Sequence, residues 1–262
     1  SNTPTQTVSG FKNISLFIIC LIPLSLGFII PVSILLNFII KGYSIINFYE
    51  ISQITISSIS LAFIASLLIM LLSLIMIVVG TYKSNNFQKI LIFFASSGYA
   101  FPGTILAVGI VVFVGWLNDL IYFRMSYAVG GFIILLFAYS IRFLAVGNGA
   151  ITSGISRIHP NLLDASRTMG VSFFKSIRKI ILPLLYTNLL VGGILVFVDI
   201  LKELPITLLL RPFNFETLAT YVYQYASDEM LEESAFAALI IVIAGLGPVI
   251  FLNRTINKSI KN

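Results

Sequence analysis

Six stretches of this chain carry no charged side chain: Ile14–Ile40, Ile51–Tyr82, Ile90–Asn118, Met125–Ile141, Ile180–Val198 and Ser234–Asn253. A helix needs roughly 20 apolar residues to cross the hydrocarbon core of a bilayer. That core holds no water, so each spanning segment must satisfy its own backbone N–H and C=O groups. Barrel strands would place polar residues at every second position, and these stretches do not. Each is therefore expected to be a membrane-spanning helix, and the chain an all-α membrane protein with six transmembrane helices. The fourth stretch is short but continues past Arg142 as FLAVG. The expected spans thus cover about 14–40, 51–82, 90–118, 125–147, 180–200 and 234–253, within a membrane domain of residues 14–257. A polar lead (1–13) and a short tail (258–262) complete the chain. Only 10% of the 262 residues are charged, against roughly 25% in a soluble domain. The first stretch is too long for the apolar part of a signal peptide, and no small-x-small cleavage site follows it.

The basic residues set an expected orientation. With alternating spans, Lys12, Lys83, Lys89, Arg157, Arg167, Lys175, Arg178, Lys179, Arg254, Lys258 and Lys261 fall on one side. Lys41, Arg124, Lys202 and Arg211 fall on the other, and Arg142 is expected near the inner end of the fourth span, snorkelling to the headgroups. The positive-inside rule then puts both termini in the cytoplasm. The net charge of +6 reads as a topological signal, so no nucleic-acid partner is implied. The single cysteine, Cys20, excludes an internal disulfide. The single histidine, His159, lies beside Pro160 at an expected helix start. That leaves no His-based cofactor site and no nucleophile–base pair for a membrane enzyme.

The longest inside loop, 157–179, runs into the segment DASRTMGVSFFKSIRKIILP, Asp164 to Pro183. Pro160 and Asp164 suit a helix start. Leu162, Ala165 and Met169 fall on one face, with Ser166 beside them, and Gly170 stands where a left-handed cap ends a helix. Ser172 is expected to cap a second, basic helix lying at the headgroups, with Pro183 leading into the fifth span. A short helix with a small-residue face suits insertion into a groove of another protein.

The spacing of this segment resembles the EAA loop of ABC importer permeases. Asp164-Ala165-Ser166, three residues, Gly170, nine residues and Ile180-Ile181-Leu182-Pro183 match the family pattern, with Asp for Glu and Ser for the second Ala. The resemblance implies a type I importer permease fold, a pair of membrane halves, and a loop helix that docks on an ATP-binding-cassette subunit. It assigns Asp164, Ala165, Ser166, Met169, Gly170, Ile180, Leu182 and Pro183 to that contact. ATP and Mg are then expected on the partner, with no cofactor bound by this chain. A P-loop needs glycine followed by lysine, and none of the 18 glycines here is.

Two further stretches resemble the permeases of ferric-iron ABC importers: GYAFPGTILAVG at 98–109, and DILKELPITLLLRPFNFETLATYVYQYASDE at 199–229. The resemblance covers about 51–253 and is to the second six-span half of such permeases. It implies an extracytoplasmic iron-binding protein as donor and the inner membrane of a bacterium as location. Fe(III) is a hard cation that prefers oxygen ligands, and the outer side offers carboxylates and the phenols Tyr221, Tyr223 and Tyr225. No metal-ligand set is specified by spacing. Asp199, Lys202, Glu203 and Pro205 are candidates for the outer part of the path or its gate, with an interfacial salt bridge as the alternative. Tyr99, Pro102 and Gly103 are candidates for a kink facing a central cavity. The same fold could serve molybdate, sulfate, thiamine or a polyamine. A simple channel would not need the 164–183 loop.

Overall fold

The computed structural model describes residues 11–42, 46–82, 85–121, 127–159 and 161–261. All regular structure among them is helical. α1 (Phe11–Leu24) passes through a π-turn, Ser25–Ile29, into α2 (Ile30–Lys41). α3 (Phe48–Tyr82) is followed by α4 (Asn86–Ser97), α5 (Gly103–Ile121) and α6 (Tyr127–Ile155). The short α7 (Leu162–Thr168) precedes α8 (Phe173–Ser176), a π-turn at Ile177–Ile181, and α9 (Leu182–Leu201). α10 (Pro205–Leu210), α11 (Leu218–Ser227) and α12 (Leu231–Lys261) complete the order.

α3, α6 and α9 pack on one another and form the centre. α3 is apolar on every side, so hydropathy alone does not mark its inner face. Small residues do. Ser58, Ala62, Ala65, Ser66 and Ser73 are buried at helical spacing, with Ile69 among them. Small side chains let helix backbones approach closely where lipid offers no hydrophobic drive to associate. The opposing surfaces are Leu135, Ala138, Tyr139, Phe143 and Ile151 of α6, and Leu185, Val196 and Ile200 of α9. Two asparagines cross-link the helices: Asn188 donates to the Ala150 carbonyl at 3.2 Å, and Asn148 to Ser96 at 3.0 Å. A second cluster, Ile46, Ile51, Ile54, Leu218, Tyr221 and Ala237, joins α3, α11 and α12 at one end. There the Leu218 N–H, in the first turn of α11, donates to Ser58 at 2.7 Å.

Five helical segments are long and apolar enough to cross a membrane: Ile14–Lys41, Phe48–Tyr82, Gly131–Ile155, Phe173–Leu201 and Leu231–Ile250. The third expected span, 90–118, is not a continuous helix. Asn86–Ala100 and Gly103–Asn118 meet at 118°, and six spans result only if this pair counts as one. The fifth span starts at Phe173, earlier than 180, so no separate headgroup helix exists. The expected fourth span, 125–147, extends to Ile155, which puts Arg142 midway along α6 and not at its inner end. α12 also runs through Lys261, so the expected tail is largely helical. Residues 1–10 of the expected polar lead lie outside the described residues.

The central packing yields a test. Ile69 is fully buried between the three core helices, whereas Ile64 on the same helix is 55% exposed. Ile69→Ala is expected to destabilise the protein by about 2 kcal/mol through the cavity it leaves. Ile64→Ala should leave the melting temperature unchanged when both are followed by thermal unfolding in detergent.

Candidate functional site

Two places concentrate the residues singled out from the sequence. The first is the elbow between α7 and α8. α7 ends at Gly170 with φ +76, a left-handed conformation that glycine adopts without strain. The Val171 N–H then reaches back to the Ser166 carbonyl at 3.0 Å, the six-to-one bond of a Schellman ending. Ser166 is buried, with its hydroxyl 2.7 Å from that of Ser176. This bond fixes α7 against the start of the fifth span, so Ser166 braces the elbow and does not share the outer face expected for it. Ser172 holds the N-cap position but makes no side-chain cap bond. Its carbonyl instead accepts from Ser176.

The outer face of the elbow is apolar and uncovered. Ala165 and Met169 are exposed, Met169 at 76%, and Leu162 stands at the edge of exposure. Phe174, absent from the sequence-based candidates, is 80% exposed on the adjoining turn. Its signal was an aromatic in the first turn of a basic helix, which the headgroup reading absorbed. The side chain of Asp164 lies outside the described residues. Ile180 is half-buried, Leu182 and Pro183 are exposed, and the anchor at this point is the fully buried Ile181. Pro183 lies inside a continuous helix, just after the π-turn. A proline there cannot donate to the Lys179 carbonyl, which accounts for the widened turn.

The second place is the break between α4 and α5. Gly98–Ala100 forms a 3₁₀ turn, and Phe101 then extends (φ −81, ψ 138), as a residue before proline prefers. Pro102 restarts the helix. Arg142 of α6 donates from a guanidinium NH₂ group to the Phe101 carbonyl at 2.7 Å. Its Nε lies 3.4 Å from Glu203 Oε2. The guanidinium also stands 5.8 Å from the ring centroids of both Tyr99 and Phe143, within the range of cation–π attraction. Gly103 is buried against this pair. A Cβ there would come within 2.8 Å of Glu203 Oε1 and 3.2 Å of Pro205 Cβ.

Glu203 is buried and meets α6 at its midpoint. The segment expected at the outer membrane face therefore reaches into the bundle, and Arg142 is paired there, not snorkelling. Thr207 bonds both the Glu203 carbonyl, at 2.6 Å, and the Tyr139 hydroxyl of α6. Asp199 and Lys202 form their own pair at 2.9 Å, with Lys202 largely exposed. Of the sequence candidates, Tyr99, Gly103, Glu203 and Pro205 are thus brought together around Arg142. Pro102 is exposed beside them.

Beyond the break, at the end carrying the second cluster, lies an open cavity of about 860 Å³. Glu50, Gln53, Phe213 and the Arg211–Glu216 ion pair line it. Tyr221 is buried nearby, and burial pushes its phenol well above the ordinary value, helped by Tyr225. It is a poor phenolate donor. Tyr223 remains exposed. Among the described residues, no three His, Cys, Asp or Glu side chains converge to hold a metal ion.

Residues 74–262 match the family model described as binding-protein-dependent transport system inner membrane component. The chain belongs to that family. The permease is 25% identical over 236 residues to the Fe(3+)-transport system permease protein FbpB 2 of Haemophilus influenzae (strain ATCC 51907 / DSM 11121 / KW20 / Rd). The match takes in 88% of the permease but 44% of that relative, so the chain spans less than half the relative's length. In fold it is similar to a bacterial ABC transporter involved in the import of the acidic polysaccharide alginate. There the TM-score is 0.70 at 14% identity, over 95% of the permease and 96% of that chain. An inward-facing structure of the MetNI methionine ABC transporter gives 0.58 at 14% identity, over 79% and 96%. The permease is thus a multi-pass, all-helical inner-membrane component with an ABC importer permease fold.

The elbow geometry carries its own prediction. A β-branched side chain strains at φ +76 by about 1–2 kcal/mol, so Gly170→Val should loosen the end of α7. Amides of residues 166–172 are expected to exchange with deuterium about tenfold faster, while those of α3 keep their wild-type rates.

Proposed function

We propose that this permease is one membrane half of an ATP-driven importer whose cargo is ferric iron, delivered by a soluble extracytoplasmic binding protein. The observation that carries the cargo is the relationship, over 88% of the chain, to a relative named for Fe(3+) transport. In this reading the elbow end faces the cytoplasm, in keeping with the positive-inside rule. ATP and Mg belong to a separate ATP-binding-cassette subunit, and a second permease half completes the path.

The uncovered face of Leu162, Ala165, Met169 and Phe174 is the surface offered to that subunit. Ser166–Ser176 and the unbroken run from Phe173 to Leu201 supply a stiff link from the elbow to Glu203. Movement of α7 would tilt α9 and shift the segment that packs on the α4–α5 break. An exposed lysine at this depth requires water, so Asp199 and Lys202 are assigned to a hydrated route. The permease works by making different contacts in two states, with no covalent chemistry of its own.

The test is uptake of radioactive Fe(III) into proteoliposomes holding both membrane halves, the ATP-binding subunit and the binding protein. ATP-dependent uptake of iron, and not of molybdate, sulfate, thiamine or a polyamine, is the expected result. Gly170→Asp should lower it about tenfold or more, the loss of a coupling of roughly 1–3 kcal/mol, with insertion in the membrane retained. Undiminished ATP-driven uptake in that variant would remove the elbow from the coupling path.

A further inference from the structure

We infer that Arg142 is the positioning residue of the helix break: its guanidinium, joined at once to the Phe101 carbonyl and the Glu203 carboxylate, sets the angle between α4 and α5. A helix interrupted at Phe101–Pro102 leaves carbonyls without their usual partners, and an apolar bundle offers no water to replace them. The guanidinium has a planar fork of donors, so one group can serve a carbonyl and a carboxylate together. The 2.7 Å bond to Phe101 uses that fork, and Nε approaches Glu203 at 3.4 Å as an ion pair without a hydrogen bond, while Tyr99 and Phe143 flank the group.

Three pieces of the chain meet at this one cation: the turn before the break, the middle of α6, and the segment joining α9 to α10. Glu203 is the counter-ion that makes the charge tolerable there. Its other oxygen accepts from the Ile206 N–H at 3.4 Å and touches the space above Gly103. The carboxylate therefore contacts the first residue of α5 while the guanidinium holds the last residue before the break. Removing the guanidinium would leave a buried carboxylate uncompensated and the Phe101 carbonyl undonated. No other polar group among the described contacts spans both sides of the break. Gly98, packed on the Ile141 carbonyl, and Ser96, bonded to Asn148, fix α4 alone to α6. On the α5 side the polar links are Arg142 and Glu203, added to apolar packing on α6 and α10.

The role in transport rests on the permease reading above, but the geometry can be tested without cargo or ATP-binding subunit. Spin labels are placed at the exposed positions Leu91 on α4 and Val112 on α5 of the full chain in lipid nanodiscs. Cys20, the one native cysteine, is replaced by serine. A control pair at Leu71 on α3 and Leu190 on α9 reports the core. Double electron–electron resonance on the parent chain is expected to give one narrow distance for each pair. Arg142→Met should broaden the 91–112 distance or shift it by about 5 Å, one helical pitch, with the control pair unmoved. Glu203→Gln keeps size and one acceptor oxygen but not charge. It should move the same distance in the same way, and it serves where Arg142→Met does not fold. Arg142→Lys, which restores the charge without the fork, should recover part of the parent distribution. An unchanged 91–112 distance in either neutral variant overturns the inference. So does a parallel change in the control pair, or no recovery with lysine.

Discussion

A helix cut in two within an apolar bundle must find donors for the carbonyls it strands, and the rest of this structure is arranged around that demand. Arg142 answers it at Phe101, and a half-buried cation in an apolar bundle then demands an anion, which Glu203 supplies. Glu203 lies in the short link between α9 and α10, and the chain goes on from it as a helix packed on the bundle. That helix, α10, is short and tied to α6 through Thr207 and Tyr139, and α5 packs against it. The ion pair is weak evidence for stability in itself, since desolvation consumes much of its attraction. Its worth lies in specificity, because one alignment of three segments brings the guanidinium to both the Phe101 carbonyl and the Glu203 carboxylate.

The elbow obeys the same logic at the other end of α9. A seven-residue helix cannot hold itself together, so α7 is secured by a glycine ending and by two serines meeting in a buried contact. The polar bond faces inward and the apolar side chains outward, the reverse of a solvated surface loop. Met169 and Phe174 stand uncovered, which suits a face made for another protein. Because helix runs unbroken from Phe173 to Leu201, elbow and ion pair are opposite ends of one rod.

Five of the six charge-free stretches fall in helices long and apolar enough to cross a membrane, while 90–118 is broken; bilayer thickness and backbone satisfaction leave few other options for such stretches. Gly170 was legible too, since a left-handed helix ending suits glycine best and its spacing to Pro183 fits a family pattern. The inner face of α3 was harder to read. In an all-apolar helix, hydropathy has no direction, and only the stripe of small residues from Ser58 to Ser73 marks it. The fifth span begins at Phe173, ahead of the charge-free stretch, because Lys175, Arg178 and Lys179 interrupt the apolar run in sequence but not the helix. Long basic side chains can instead project from a helix that simply continues.

Arg142 and Glu203 are the clearest division between the two sources of information. The sequence determined that both are ionisable groups in a chain of lipid-soluble helices, and that Pro102 and Gly103 allow a kink in the third span. It did not determine that a cation in the fourth span, a carboxylate after the fifth and a carbonyl in the third would meet. Local rules act over a few residues, whereas this contact joins positions 41 and 61 residues apart. Only the packing of α3, α6 and α9 brings Glu203 to the middle of α6, where the buried carboxylate finds its partner in a helix 61 residues away.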